Sequence, residues 1–240
     1  LFVARFKTEK AFQTKEEFLY ATLREAILTC ALAPGEKLII DRLSEEFGVS
    51  PIPLRTALQR LEMEGWVRIV PFAGAVVSEI TTAEIDEVFA VLEALERAAF
   101  ESAAERAHEG LIPEEEFVLL RGLNDLMESA LASHDDLAWS ELNAQFHLKI
   151  AGITGMRLLA DFTRQAFDRW ARLRRYYFPE GAPGTQSGAQ ADHAKMCSLL
   201  FSGEINALGE LVAQHNRSAR ELYTEQLSRS TVKKPELGVE

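Results

Sequence analysis

The chain has 240 residues, 47% hydrophobic and 26% charged, a globular balance that excludes a wholly disordered protein. No run of about 18 apolar residues occurs, so no membrane-spanning helix is expected, and the first ten residues carry four charges, unlike a signal peptide. The net charge of −11 is uneven: residues 1–78 hold ten Lys/Arg and ten Asp/Glu, so the whole excess falls on the remainder. That asymmetry predicts two parts with different partners, of which only the neutral first part can offer nucleic acid a local basic patch. The two cysteines, Cys30 and Cys197, are too far apart for a CxxC site and form no disulfide framework, so a cytoplasmic protein is expected.

In chain order, Phe18, Leu19, Leu23, Ile27 and Leu28 recur at helical spacing over residues 15–31, and Pro34-Gly35 stops that helix. A short helix is predicted over 41–47, then a turn at Gly48. Ser50 is the expected N-cap of the next helix, 51–64, whose two prolines fall in its first turn, where the missing N–H groups matter least. Leu54, Ala57, Leu58 and Leu61 form its buried stripe. Residues 66–80 read as a β-hairpin. From Thr81, a capping-box pattern with Glu84 opens a long helix to about 107. Further helices are predicted at 113–132, 135–152, 156–178, 189–202 and 205–229. PEGAPGTQSG is the clearest loop, and the tail from Ser230 is expected to fray. The fold class is therefore mainly α. A winged helix-turn-helix of three helices and a hairpin (1–78) joins an all-helical bundle (79–240).

In a helix-turn-helix the second helix enters the major groove. Here Ile52, Arg55 and Gln59 share the face opposite the leucines. Arg55 can pair with guanine or clamp a phosphate, Ser50 can reach a phosphate, and Ile52 can touch a thymine methyl. Arg42, Lys37, Arg60 and Arg68 are candidate backbone contacts. Residues 34–77 resemble the N-terminal domain of GntR-type transcription regulators. The resemblance is carried by Pro34, Gly35, Leu38, Leu43, Gly48, Val49, Ser50, Pro53, Arg55, Ala57, Leu58, Leu61, Gly65, Gly74 and Val77. It implies binding to a double-stranded DNA operator through Arg42, Ser50, Ile52, Arg55 and Gly74. The chain departs from the pattern at Pro51, where a base is usual, at Ile52, where Thr is common, and at a wing tip, Pro71-Phe72-Ala73, without a cation.

Among five histidines, three have informative spacing. Asn143 and His147 are i, i+4 and share a helix face. His193 and His215 straddle Gly203 symmetrically, so an antiparallel helical hairpin sets them at one height. A third helix carrying Asn143 and His147 against that pair would complete a four-ligand site for a divalent metal, Zn, Ni or similar. Three buried histidines bonded to backbone or carboxylates is the plainer reading of the same spacing. His108 and His134, near helix ends, are expected in solvent.

Residues 81–229 resemble the FCD ligand-binding domain that follows the GntR winged helix in one branch of the family. Asn143, His147, His193 and His215 fill its metal-ligand positions, with Phe146-His147 as its Phe-His pair. The resemblance implies a homodimer whose helical domain binds a small carboxylate effector near the metal. Asn143 stands where Asp is commoner, Met156 follows Gly155 where Asn is usual, and Leu92 takes the place of a common Arg. Arg164, Arg169, Arg172, Arg174 and Arg175 are candidate substitutes for that Arg, or a solvated basic face. No HExxH motif and no Gly-rich phosphate loop occur, so a ligand-responsive regulator is expected rather than an enzyme. A regulator for which the ion is the signal, and a metal-dependent enzyme built on the histidines, are the alternatives.

Overall fold

The computed structural model describes residues 14–179 and 186–231. The charged N-terminal residues, the centre of the expected PEGAPGTQSG loop and the tail beyond Thr231 lie outside them. The chain clusters into two compact units that divide between Thr81 and Thr82.

The first unit holds α1 (Lys15–Leu28), β1 (Lys37–Leu38), α2 (Ile40–Phe47), α3 (Pro51–Met63), β2 (Val67–Val70) and β3 (Gly74–Val77). A capping box starts α1: the Thr14 hydroxyl accepts from Glu17 N–H, and the Glu17 carboxylate accepts from Thr14 N–H. Gly48, left-handed at φ +64°, ends α2 and releases the chain into α3. Leu19, Leu23 and Ile27 of α1 meet Leu54, Leu58 and Leu61 of α3 in one core, closed by Trp66, Val67 and Val77.

The expected hairpin forms, but within a three-stranded sheet of order β1-β3-β2. Lys37 and Leu38 pair with Val76 and Ala75, while Arg68 pairs with Val76 from the other side. A two-residue strand has no periodicity to read, so β1 was invisible in the sequence. Gly74 permits the pairing: a Cβ there would overlap the Leu38 carbonyl oxygen.

The second unit contains α4 (Ala83–His108), α5 (Glu114–Ala132), α6 (Asp136–Ile153), α7 (Arg157–Tyr177), α8 (Gln186–Ser202) and α9 (Ile205–Thr231). Helix α4 opens with Thr82 at its N-cap position, in the αR region and without a side-chain capping bond of its own. Helix α4 packs along α9 and also meets α6, α7 and α8; α5 packs on α6 and α8. The core joins Phe100 and Ala103 of α4, Leu120 and Met127 of α5, Phe146 and Ile150 of α6, Met196 and Leu200 of α8, and Leu208 and Val212 of α9. Among the described residues no helix is long and apolar enough to cross a membrane.

Candidate functional site

The outer face of α3 carries Ile52, Arg55 and Gln59, all exposed, while Leu54, Ala57, Leu58 and Leu61 point inward. Arg42 on α2 is exposed as well. Ser50 occupies the N-cap position but makes no capping bond. One of its two usual partners is missing: a capping hydroxyl bonds the N–H of the second or third helical residue, and the third is Pro53. The Ser50 hydroxyl thus sits exposed at the helix start. A groove of about 630 Å³ runs between α3 and the wing, lined by Arg55, Gln59, Ile69 and Pro71–Gly74 among others. On the outer face of the sheet, exposed Lys37 and Arg68 flank Val76 in one cross-strand row.

Arg60 is differently employed. Its guanidinium lies 3.7 Å from the centre of the Tyr20 ring and its Nε 3.7 Å from Glu64. Glu64 also accepts from Tyr20 Oη at 2.7 and 2.9 Å and from Trp66 Nε1 at 3.1 Å, and it pairs with Arg24. This junction ties α1, the end of α3 and the start of β2 together. Sequence reasoning missed it, because Tyr20 and Glu64 lie 44 residues apart. Burial, aided by the Glu64 bond and charge, pushes the Tyr20 phenol up to about 12.

In the second unit, α6, α8 and α9 bring His147, His193 and His215 together, with one ring nitrogen of each within 4.8 Å of the others. The ring centres of His193 and His215 are 4.9 Å apart, and those of His147 and His193 5.1 Å. All three are buried, in a shell that includes Phe100, Phe146, Trp139 and Phe167. His108 and His134 are exposed.

Two carboxylates orient the rings. Glu96, 2% exposed in the middle of α4, sets Oε1 2.8 Å from His147 Nδ1, though off the line of a well-formed hydrogen bond, and its Oε2 accepts from Asn216 Nδ2 at 2.5 Å. Asp192 Oδ2 lies 3.2 Å from His215 Nδ1. Burial raises the Glu96 pKa, but His147, the Asn216 bond and His215 outweigh it and hold the carboxyl below its ordinary range. Burial, with His215 and His147 beside it, drives His193 well below the usual imidazole value, so that ring is neutral. With Nδ1 of His147 turned to Glu96, its Nε2 faces His193 Nε2 at 3.1 Å.

That donor set fits a divalent ion. Two imidazole nitrogens bound side by side, each about 2.1 Å from one ion, stand about 3.0–3.4 Å apart. Asn143 lines the same cavity as His147 and His215, and its buried Oδ1 has no hydrogen-bond partner, leaving a lone pair for a fourth ligand. Read from the ligands alone, three neutral rings and an amide leave a dipositive ion uncompensated. Glu96 and Asp192 supply two negative charges one shell out. Glu96 is a carboxylate at a buried position of the stripe Val88, Leu92, Ala99.

The cavity holds about 250 Å³. Phe89, Leu92, Phe167, Trp170 and Tyr223 line it beside Glu96, Asn143, His147 and His215. None of the five candidate arginines of α7 is in its wall. Arg164 is exposed, whereas Arg172 and Arg174 are buried rather than forming a solvated basic face. Burial pushes the Tyr223 phenol above its ordinary value, so its hydroxyl stays protonated.

The family model for the FCD domain matches residues 87–218, and that for bacterial regulatory proteins of the gntR family matches residues 15–77. The chain is 31% identical over 128 residues to an uncharacterized HTH-type transcriptional regulator in the TAR-I ttuE-ttuC' intergenic region of Agrobacterium vitis, covering 53% of this chain and 74% of that one. It is 26% identical over 203 residues to the HTH-type transcriptional repressor RspR of Escherichia coli K12, covering 85% and 86% respectively. The solved structure of E. coli McbR/YncC shares the fold, with a TM-score of 0.71 at 20% identity over 92% of this chain and all of that one. The chain therefore belongs to the GntR family of bacterial regulatory proteins, in the FCD branch, as a DNA-binding transcription regulator with an effector-binding helical domain and not an enzyme.

Proposed function

We propose that this regulator binds its operator as a homodimer and responds to a small carboxylate held near a divalent metal. The metal ligands are Asn143, His147, His193 and His215. Residues 1–78 read DNA and residues 79–240 bind ion and effector. The observation that carries the reading is the gathering of three imidazoles next to an unpartnered amide oxygen: Asn143, His147 and His215 line one cavity, and His193 packs against both other rings. When bound, the ion supplies positive charge to an anionic ligand. Glu96 and Asp192 fix which ring nitrogens face it, and the aromatic wall takes the apolar body of the effector. Leu92 and a wall that holds no arginine among the described residues favour a carboxylate with an apolar body over a dicarboxylate. The protonated Tyr223 hydroxyl and the Gln214 side chain are available as polar partners. On the DNA side, Arg55 reads bases from the exposed face of α3, with Ile52 beside it. Ser50, Arg42, Lys37 and Arg68 contact phosphates, and Gly74 sets the wing against β1.

Ligand binding that favours one relative placement of two winged helices changes the half-site spacing they match, and so releases or secures DNA. The test combines metal analysis of the purified protein with fluorescence anisotropy on its own upstream DNA. We expect about one ion per chain, lost in His193→Ala, and DNA affinity that a panel of aromatic and aliphatic monocarboxylates shifts only in the metal-loaded protein. An ion-free protein whose DNA binding responds to acids equally well before and after His193→Ala would sink the metal part. DNA affinity that follows the ion with no acid present would favour the ion itself as the signal.

A further inference from the structure

The wing tip joins two costly features. Val70–Ala73 form a turn closed by Ala73 N–H on the Val70 carbonyl at 3.0 Å, with Pro71 second and Phe72 third. Phe72 has φ +62°, a conformation that turns usually give to glycine or asparagine. Its ring is fully exposed to water. A bulky side chain in the left-handed region strains the backbone, and an exposed phenyl ring forgoes burial. Because the ring is exposed, packing within the unit offsets neither.

The surroundings indicate what does. The tip is uncharged from Val70 to Gly74. The cations sit further back: Lys37 and Arg68 flank Val76, two residues or about 7 Å up the strand from Gly74. Arg55 and Gln59 of α3 line the groove that the tip closes. When α3 lies in the major groove, the next feature along the duplex is a phosphate ridge and then the minor groove, about 6 Å wide. A flat ring with no hydrogen-bond demand, led by an uncharged tip and followed by two cations at phosphate height, matches that groove. Apolar wedges of Phe or Pro enter base steps in this way and kink the duplex.

We infer that Phe72 is such a wedge: it enters the minor groove beside the α3 site, opens one base step and bends the operator. The inference rests on the DNA-binding reading above. The test uses the full chain and a duplex selected by it from a random library. 2-Aminopurine is placed at successive flanking positions, and a donor–acceptor dye pair sits at the ends.

Wild type raises 2-aminopurine emission at one step and bends the duplex by roughly 20–90°. Phe72→Gly, which relieves the turn, melts no earlier than wild type and keeps the salt slope of binding. It loses the emission and the bend, and binds about tenfold more weakly, the size of one base–aromatic stack. Phe72→Trp restores the emission. A wild-type complex with straight DNA and a flat emission profile overturns the wedge and leaves DNA binding intact. Selection of no DNA by wild type overturns both. A glycine variant that melts earlier, or that bends DNA as wild type does and loses only capture of a protein partner, also overturns the wedge.

Discussion

His193 is the residue on which the buried site turns. It is fully buried, neutral, and in ring contact with both other histidines, with Trp139 and with Phe146. Removing the ion with EDTA should lower the unfolding midpoint, since a ligand bound to the folded state at a hundred times its Kd adds about 2.7 kcal/mol. Scanning calorimetry should show the midpoint restored by added metal in wild type and unchanged by it in His147→Ala. The cysteines offer a second test. Burial pushes the Cys197 thiol up to about 11, against Arg121, which pulls it down. Cys30 is half-exposed. At pH 8 a thiol reagent should therefore modify Cys30 in the native protein and Cys197 only after denaturant is added. Rapid native labelling of two thiols would contradict the packing of α8.

The winged unit depends on how α1, α3 and the sheet are joined. Leu58 is buried in the α1–α3 core, so Leu58→Ala should cost about 2–5 kcal/mol in urea unfolding. The Tyr20–Glu64 junction predicts a smaller and pH-dependent effect. The folded-state pKa of Tyr20 is raised from 10.0 to about 12, so the protonated phenol is the form that the fold favours. Its contribution is complete below pH 10 and is lost as the pH climbs from 10 towards 12. Tyr20→Phe should thus cost about 1 kcal/mol at pH 8, and the gap between variant and wild type should narrow above pH 10. A gap that stays constant to pH 12 would mean the hydroxyl contributes nothing through Glu64.

For the whole molecule, the two activities reside in separate compact units, and their chemistries should separate in experiment. Arg55→Ala should weaken operator binding by about tenfold or more and relax base preference, if Arg55 reads guanine. Should it clamp a phosphate instead, the salt slope should fall by about one and preference should persist. In either case metal content stays at the wild-type value. Conversely, His215→Ala should lose the ion while its metal-free DNA affinity matches that of metal-stripped wild type. Light scattering with and without chelator tests whether the expected dimer needs the ion.

Apolar spacing by itself determined the helices of both units, because burial of one face writes a 3.6-residue period into each segment. Turn chemistry marked Gly48 and Gly203 for the same local reason, and the 22-residue interval between His193 and His215 needed only the hairpin about Gly203 to set them side by side. Tertiary packing alone decided the rest. Glu96 reaches His147 across 51 positions and Asn216 across 120, Arg60 turns to Tyr20 and Glu64, Arg172 and Arg174 face inward, and β1 exists only because β3 lies beside it. A period reports which face is buried; it does not report which polar atom waits on the neighbouring element, and a carboxylate in an apolar stripe acquires its meaning only from the ring packed against it.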